Sequence, residues 1–343
     1  MKVLNSVPKQ HWLYAGAGLA LLLIGGLAGW YICTVQTVPV TENIREQSDE
    51  YTFINPLLFV KIPETTDPKY SGIKRAITMY ANSREVTEKA RDVSIYYRDL
   101  DNSQWVGINE DETFSAASML KVATLISVVR AAEHNPSLLT TSVLVVPGST
   151  TDKRTQDYYP PAHPVTAGQT YTVQELLNHL IIESDNTANN VLYQLIDKSV
   201  IANTYTDLEI PTRSSNEEEV NTARDYSHLF RVLYNGTYLS KDLSESVLEL
   251  LSKTTFVDGL VAGVPTGTVV SHKFGQRNLT SAEDSSASAR ALRELHDCGI
   301  VYYPGHPYFI CVMTKGSEYA ELAAVVQGAS RVVWNTVDAL YKK

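Results

Sequence analysis

The chain has 343 residues, of which 44% are hydrophobic and 20% charged, a balance that excludes a wholly disordered protein and a membrane protein of many spans. It carries 29 Lys and Arg against 38 Asp and Glu, so its formal net charge is −9 and gives no support to nucleic-acid binding. Its 3 cysteines are too few for a disulfide scaffold and lie too far apart in the sequence for a zinc site.

Near the N-terminus, an apolar segment predicts a membrane anchor. Residues 12–35 carry no charge, and about 20 apolar residues suffice for a helix that spans a bilayer. Lysines precede this segment and acidic residues follow it, so the positive-inside rule places residues 1–11 in the cytoplasm and the rest of the chain outside. The alternative is a cleaved signal peptide, whose apolar region would be only about 7–15 residues. We expect an uncleaved, single-pass anchor that contacts the lipid bilayer of the cell membrane through residues 12–35.

The remainder divides into a stalk and a globular domain. Residues 36–67 are rich in Thr, Glu and Pro, which predicts an extracytoplasmic stalk. No later uncharged stretch approaches spanning length, so residues 68–343 are expected to form a soluble domain.

The apolar spacing within this domain predicts its fold class. In chain order it indicates a helix at 70–80, a hairpin with strands at 93–100 and 105–109, a helical region, strands at 269–273, 299–303 and 308–314, and a closing helix at 322–333. The expected fold is α+β. A five-stranded antiparallel sheet is covered by the N- and C-terminal helices, and an all-helical subdomain at about residues 113–265 is inserted between strands two and three.

Ser118 is a candidate nucleophile because it begins an S-x-x-K motif that ends at Lys121. The motif also occurs at residues 6–9 and 71–74, but only this copy lies in a stretch, residues 116–129, with a single charge. Residues three apart on a helix share a face, and a desolvated lysine can lose its charge and accept the serine proton. The structural alternative, which the motif alone favours, is a lysine that extends to the surface or pairs with a buried acid.

Ser184-Asp185-Asn186 forms a second motif, S-D-N, after a helix that opens with a capping box at Thr172 and Glu175. Three short polar residues between two buried helices are commonly a C-cap followed by an N-cap, which is the structural alternative.

The third motif is K-x-G, formed by Lys273 and Gly275 at the end of a predicted strand. A lysine on a sheet edge can bind an anion, and the glycine leaves room for a substrate backbone. Alone, this motif carries no functional information.

In this order the three motifs resemble those of the penicillin-recognising serine hydrolases, and the chain is most similar to the class A β-lactamases over residues 68–343. The resemblance implies that Ser118 is the acyl-accepting nucleophile and Lys121 its base, and that no metal or cofactor is required. It further implies that Ser184 relays the proton to the leaving nitrogen and that the backbone N–H groups of Ser118 and Gln276 form the oxyanion hole. For substrate binding, it implies that Asn186 holds the substrate amide and that Lys273, beside Gly275, holds the substrate carboxylate. Tyr159 would flank the substrate.

Two positions depart from the family pattern. Phe274 stands where the family has Thr or Ser, so a hydroxyl that would help to hold a carboxylate is missing. The stretch that corresponds to the omega loop, residues 210–226, is short, and only Glu217 of its three consecutive acids (Glu217, Glu218, Glu219) has an Asn, Asn221, four residues on. A solvated acidic loop is the alternative. The residues needed for acylation are therefore all expected to be present, whereas the sequence does not identify the base for deacylation.

Three functions remain open on the sequence. The first is a membrane-anchored serine hydrolase of the class A β-lactamase type, which opens a β-lactam or related amide through an acyl-serine. The second is a D,D-peptidase that acts on cell-wall peptides, which needs the same motifs without the omega-loop acid. The third is a non-catalytic peptidoglycan-binding protein on the same scaffold.

Cys298 and Cys311 form a possible disulfide. If Pro304-Gly305 is a two-residue turn, the two cysteines lie opposite each other with Cα atoms about 4.5 Å apart, within the range for a disulfide. An extracytoplasmic domain permits such a bond. A Pro-Gly turn suits the twist of a hairpin poorly, which favours the alternative of two buried free thiols.

Overall fold

The structure, a computed structural model, describes residues 44–45, 51–55, 57–59, 69–148, 156–215, 218–279 and 292–342. These residues belong to one compact unit, which comprises residues 43–60 and 66–343. The predicted anchor at residues 12–35 lies outside the described residues. In the part of the chain that is described, no helix is both long and apolar enough to cross a bilayer.

Five antiparallel strands form the main sheet. They are β1 (Ala90–Asp99), β2 (Trp105–Ile108), β3 (Val270–Asn278), β4 (Arg293–Val301) and β5 (Tyr308–Gly316). Their order across the sheet is β3-β4-β5-β1-β2, which leaves β3 at one edge. The predicted antiparallel five-stranded sheet is confirmed.

The central strand β5 is apolar from Tyr308 to Met313 because both faces of the sheet are covered there. In β5, Tyr308, Ile310 and Val312 belong to the core beneath the terminal helices. The alternate residues, Phe309 and Cys311, belong to the core of the helical subdomain. A strand buried on both faces shows no polar alternation, in contrast to a strand with one face in water.

Two terminal helices pack on one face of the sheet, as predicted. They are α1 (Lys69–Ala81), followed by a short helix at Arg84–Thr87, and α8 (Tyr319–Tyr341). The buried side chains of α1 recur at helical spacing, as Ile73 and Ile77 show, and the Tyr80 hydroxyl donates to the Val325 carbonyl of α8 at 3.0 Å.

A helical subdomain lies between β2 and β3 in the chain. Its helices are α2 (Lys121–His134), α3 (Val173–Ile182), α4 (Asn186–Leu195), α5 (Lys198–Asp207), α6 (Ala223–Tyr234) and α7 (Lys241–Leu251), with 3₁₀ turns at Ala117–Leu120, Pro136–Thr140 and Val261–Gly263. Helix α2 is buried on nearly every side, as its low charge predicts. The capping box of Thr172 and Glu175 opens α3, which confirms that prediction.

The prediction that this subdomain is all-helical is wrong. Phe114–Ser115, Arg213–Ser215 and Glu218–Asn221 form a small three-stranded sheet, and Ser142–Leu144 pairs with Thr170–Thr172. Strands of two to four residues are too short to show a periodicity of two in the sequence, so the pattern could not reveal them.

Residues 51–55 pack against the domain, which corrects the prediction of a continuous stalk over residues 36–67. The carboxylate of Glu245 in α7 accepts backbone N–H groups from this segment, including that of Ile54 at 2.8 Å, and Ile54 is buried. The ring of Phe53 contacts that of Tyr302 edge-on, with centroids 5.4 Å apart. Just outside this segment, Ile44–Arg45 pairs with Leu57–Phe59. The hydrogen bonds to Glu245 join residues about 190 positions apart, so no local pattern could have predicted them.

Cys298 and Cys311 form a disulfide between β4 and β5. The predicted register is confirmed, since the two residues are directly opposite, but the preference for free thiols is wrong. The turn closes with a hydrogen bond from the His306 N–H to the Tyr303 carbonyl at 3.0 Å. Gly305 has a φ of +73°, which allows Pro-Gly to form this tight turn despite the expected mismatch of twist.

Candidate active site

Ser118 lies in the 3₁₀ turn that leads into α2. The residue before it, Ala117, has a φ of +46°, a left-handed conformation that strains an L-residue with a side chain. The Met119 N–H donates to the Ala116 carbonyl at 2.9 Å and fixes the turn. Ser118 is half-buried, whereas Lys121 is only 3% exposed. The turn therefore leaves the serine accessible from outside and the lysine enclosed beneath it.

Lys121 joins the first two predicted motifs. Its Nζ donates to Ser118 Oγ at 3.1 Å, to Ser184 Oγ at 3.1 Å and to Asn186 Oδ1 at 2.7 Å. It also donates to the backbone carbonyl of Ser184. The lysine thus lies within hydrogen-bonding distance of both serine hydroxyls, and it does not extend to the surface, which excludes one of the structural alternatives for the S-x-x-K motif.

The S-D-N triplet combines a structural role with its predicted position in the site. Ser184 is fully buried with a φ of +58°, another strained conformation. Asp185 caps α4, since one oxygen accepts the Ala188 N–H at 2.8 Å, and the other accepts the Val165 N–H at 2.9 Å. This capping fixes the turn that directs Ser184 and Asn186 toward Lys121.

Gly275 lies in β3 against the turn that carries Ser118. A Cβ atom at this position would lie 2.9 Å from Met119 Cγ and 3.4 Å from Ala117 Cβ. Only a residue without a side chain lets β3 approach the turn so closely. The predicted requirement for glycine therefore has a second cause besides room for a substrate.

Gln276 and Tyr159, predicted separately, are joined to each other. Gln276 Oε1 accepts the N–H groups of Tyr158 at 2.9 Å and Tyr159 at 3.2 Å, and its Nε2 donates to the Tyr159 carbonyl at 2.9 Å. The Tyr159 hydroxyl donates to the Thr255 carbonyl at 2.6 Å. The side chain of Gln276 fixes one wall of the site, while an oxyanion-hole role for its N–H group stays a prediction.

Lys273 is fully buried beside Lys121. Its Nζ donates to the carbonyl of Phe274 at 3.0 Å and lies 4.1 Å from the centroid of the Phe274 ring. Burial and the nearby charge of Lys121 hold the pKa of Lys273 well below its usual range, although Asp297 acts in the opposite direction. Its role in holding a carboxylate stays a prediction.

Of the three consecutive acids, Glu217 lies outside the described residues. Glu219 lies on the strand that pairs with Phe114–Ser115, and its carbonyl accepts the Ala116 N–H at 2.9 Å. Burial raises the pKa of Glu219, and Tyr205 hydrogen-bonds it. Among the described residues, Glu219 Oε1 and Asn221 Oδ1 are buried and have no hydrogen-bond partner. The predicted omega-loop segment therefore adjoins the nucleophile turn and holds two unpaired acceptors.

Two residues that no sequence pattern indicates hold the strand before Ser118. Glu294 Oε2 accepts the Ser115 N–H at 2.8 Å, and His296 Nε2 lies 3.1 Å from the Ser115 carbonyl oxygen. His296 Nδ1 accepts the Thr314 N–H at 3.2 Å, so Nε2 is the ring nitrogen that donates to the Ser115 carbonyl. We call Glu294 and His296 the Ser115 clamp. Their contact with Ser115 spans about 180 residues and leaves no local signal in the sequence.

A further missed residue is Gln156, whose Nε2 donates to the Ser184 carbonyl at 2.9 Å. This carbonyl also accepts from Lys121. The amide of Gln156 therefore supports the same turn that Asp185 caps, from the side of the Tyr159 loop.

Residues 74–337 match the β-lactamase enzyme family. This match spans well over half of the chain, so the protein belongs to that family and is a serine β-lactamase-like hydrolase. The predicted resemblance to the class A β-lactamases is thereby confirmed.

Individual relatives agree with this assignment. β-Lactamase VEB-1 of Pseudomonas aeruginosa is 24% identical over 251 residues, which cover 66% of this chain and 79% of the relative. The TLA-1 extended-spectrum β-lactamase superposes with a TM-score of 0.64 at 18% identity and covers 78% of this chain and 98% of its own. A PBP-A variant, solved as an acyl-enzyme complex with penicillin G, gives a TM-score of 0.63 at 18% identity and covers 79% of this chain and 97% of its own. The two structures establish the fold.

Proposed function

We propose that this protein is a membrane-anchored acyl-serine hydrolase that opens a β-lactam or a related amide. One observation carries the proposal: Lys121 Nζ lies within hydrogen-bonding distance of the hydroxyls of both Ser118 and Ser184. That arrangement connects a nucleophile, a base and a second hydroxyl in a single chain of hydrogen bonds. The likeness to VEB-1 and to the PBP-A acyl-enzyme supports the substrate class.

The acylation step requires Lys121 in its uncharged form, in which the amine takes the Ser118 proton as Oγ attacks the carbonyl carbon of the substrate amide. The tetrahedral intermediate then expels the amide nitrogen, which receives a proton through Ser184. The C–N bond breaks and an ester to Ser118 forms. Asn186, held by Lys121 at 2.7 Å, is positioned to donate its side-chain N–H to the substrate amide oxygen. Water completes the cycle when it cleaves the ester and regenerates the hydroxyl.

Deacylation is supported less directly than acylation. A base for the attacking water would come from the acidic segment, and Glu219 is its described member with a buried, unpaired oxygen. Its other contact is to Tyr205 in α5, and burial raises its pKa. These features favour a long-lived acyl-enzyme, so a D,D-peptidase that acts on cell-wall peptides is the second candidate function.

The proposed location is the outer side of the cell membrane, with residues 1–11 in the cytoplasm and residues 12–35 in the bilayer. The charge pattern around the apolar segment supports this orientation. The disulfide of Cys298 and Cys311 also suits an oxidising compartment outside the cytoplasm.

The test is covalent labelling of the full chain in detergent with a fluorescent penicillin, followed by denaturing electrophoresis over time. We expect Ser118→Ala to abolish the label and to keep the melting temperature, since the hydroxyl is not part of the buried core. Rapid loss of label from the natural chain indicates a β-lactamase, and a persistent band indicates a peptidase-like enzyme. A natural chain that never becomes labelled would contradict the proposal and favour a non-catalytic peptidoglycan-binding protein. A Ser118→Ala variant that still becomes labelled would contradict it as well and indicate another nucleophile.

A further inference from the structure

The ammonium group of Lys273 is enclosed at the outer edge of the sheet. Lys273 lies on the edge strand β3, yet it is fully buried. Its Nζ donates to the Phe274 carbonyl at 3.0 Å and lies 4.1 Å from the centroid of the Phe274 ring. The Phe274 ring therefore covers one side of Nζ.

The ring of Phe274 is fixed in this position by aromatic neighbours. It stacks on Phe256 with centroids 4.4 Å apart and planes at 25°, and Tyr159 contacts it edge-on at 5.3 Å. Gln276 holds the backbone of Tyr159 through two hydrogen bonds. Displacing the ring would break both aromatic contacts and expose Phe256, which is fully buried. The cover over Lys273 is therefore part of the packed structure.

A carboxylate would find little to bind at this place. Phe274 supplies no hydrogen-bond donor, and the face of its ring carries partial negative charge, which disfavours an anion. Burial and the charge of Lys121 both disfavour the protonated form of Lys273, with Asp297 the opposing charge. The described contacts of Nζ are the Phe274 carbonyl and ring, and neither can replace the hydration that an anion would lose here. An uncharged group would lose less hydration free energy on entering the same space, and it would gain contact with the Phe274 ring.

We propose, building on the function proposed above, that the site takes substrates with an uncharged group at the position of Lys273 and Phe274. That group is an ester, an amide or an apolar substituent in place of a free carboxylate. The acylation chemistry at Ser118 is unchanged, and the inference concerns only which acyl donors reach it.

The experiment compares benzylpenicillin with its methyl ester by intact-protein mass spectrometry, with each acylation rate divided by the rate at which hydroxide hydrolyses the same probe. For the natural chain we expect the ester to react at least as fast as the acid. Phe274→Thr should shift the ratio at least tenfold toward the acid, because it removes the ring and supplies a hydroxyl. Phe274→Val is the matched control, because valine has nearly the same size and shape as threonine without the hydroxyl, and it should shift the ratio less than threefold. An acid that reacts faster than the ester with the natural chain would overturn the inference, even if both variants fail to fold.

A second arm needs no acylation. In Ser118→Ala protein labelled with ¹³C-lysine, the NMR signal of Lys273, assigned with Lys273→Arg, is followed during titration with phenylacetate and with phenylacetamide. We expect phenylacetate to shift this signal no more than phenylacetamide does, and a larger shift by phenylacetate would contradict the inference. If neither penicillin probe labels the natural chain, the proposed function fails, and this titration still decides whether the Lys273 position accepts an anion.

Discussion

His296 Nε2 lies 3.1 Å from the carbonyl oxygen of Ser115, three residues before the proposed nucleophile Ser118. This contact and the hydrogen bond from the Ser115 N–H to Glu294 together fix both backbone polar groups of Ser115. Ala117, between this unit and the nucleophile, has a strained conformation with a φ of +46°. A strained turn persists only where its surroundings determine it, and the Ser115 clamp is such a surrounding.

Removing half of the Ser115 clamp should therefore slow acylation. We expect His296→Ala to lower the acylation rate at least tenfold, since a shift of about 1 Å in a reacting group can cost on the order of 10²-fold. It should also lower the free energy of unfolding by about 1–3 kcal/mol, because it removes a buried hydrogen bond to the Ser115 carbonyl together with the packing of the imidazole ring. Stopped-flow labelling and urea unfolding measure the two effects.

Val333→Ala is the control for the clamp variant, because Val333 is a fully buried residue of α8 and belongs to a different hydrophobic cluster from Met119, the neighbour of Ser118. It should reduce stability by a similar amount and leave the acylation rate within about twofold. Equal rate losses in the two variants would mean that His296 acts through general stability alone.

Lys121→Ala should keep its fold and lose acylation. Removal of a positioned general base typically costs about 10²–10⁴-fold in rate. The surrounding oxygens of Ser118, Ser184 and Asn186 are neutral groups that water can solvate in place of the ammonium. A calorimetric melt beside the labelling rate tests this. If the variant has a much lower melting temperature but its folded fraction is labelled at the normal rate, the role of the lysine is structural.

The half-buried Glu219 and the buried Glu294 should give opposite dependences of stability on pH. Burial raises the pKa of Glu219, so the stability it contributes is present at low pH and is lost as the pH rises through that value. Burial acts to raise the pKa of Glu294 as well, but His296 and Lys315 hold it below its ordinary value of 4.5. The stability from Glu294 is therefore present above pH 4.5 and is lost as the pH falls further.

Urea unfolding between pH 3 and pH 8 measures these slopes. At neutral pH, Glu219→Gln should stabilise the protein, because it removes a buried group that ionises at a cost. Glu294→Gln should destabilise it there by about 1.5–3 kcal/mol, the usual contribution of a hydrogen bond to a charged group. The same sign of effect for both variants at pH 7 would refute the assignment of the two environments.

Glu245 should hold the N-terminal segment against the domain. Its carboxylate accepts the N–H groups of Phe53 and Ile54 at 2.7 and 2.8 Å. We expect Glu245→Ala to abolish the hydrogen-exchange protection of these amides and to expose the segment to proteolysis. Glu249→Ala, one helical turn further on, removes only an exposed ion pair with Lys253 and should change neither property. Retained protection in Glu245→Ala would show that apolar contacts alone fix the segment.

The sequence predicted those parts of the site that are contiguous in the chain. Ser118 and Lys121 lie three residues apart on one helical face, and Ser184 and Asn186 flank a capping residue, so local geometry limits where their side chains can point. Their meeting at Lys121 followed from the order of the motifs within a known family. The main sheet and its two covering helices were likewise visible as long apolar patterns.

The remaining parts depend on contacts between distant residues. The Ser115 clamp exists because β4 places Glu294 and His296 beside a segment about 180 positions earlier. The identity of Phe274 was evident, but its position over the Lys273 ammonium depends on how both side chains turn around an edge strand. The disulfide depended on whether one Pro-Gly turn would close, which hairpin statistics disfavoured.

The attachment of residues 51–55 to the domain also limits how far the proposed enzyme can work from the bilayer. If residues 12–35 span the membrane, only residues 36–43 connect the bilayer to Ile44–Arg45, which pairs with Leu57–Phe59 beside this attached segment, in place of the whole predicted stalk. A fully extended chain covers at most about 3.3–3.6 Å per residue, so this connection reaches roughly 30 Å. The enzyme would then act only within a thin layer above the lipid surface, and acyl donors that stay farther from the membrane would lie out of its reach.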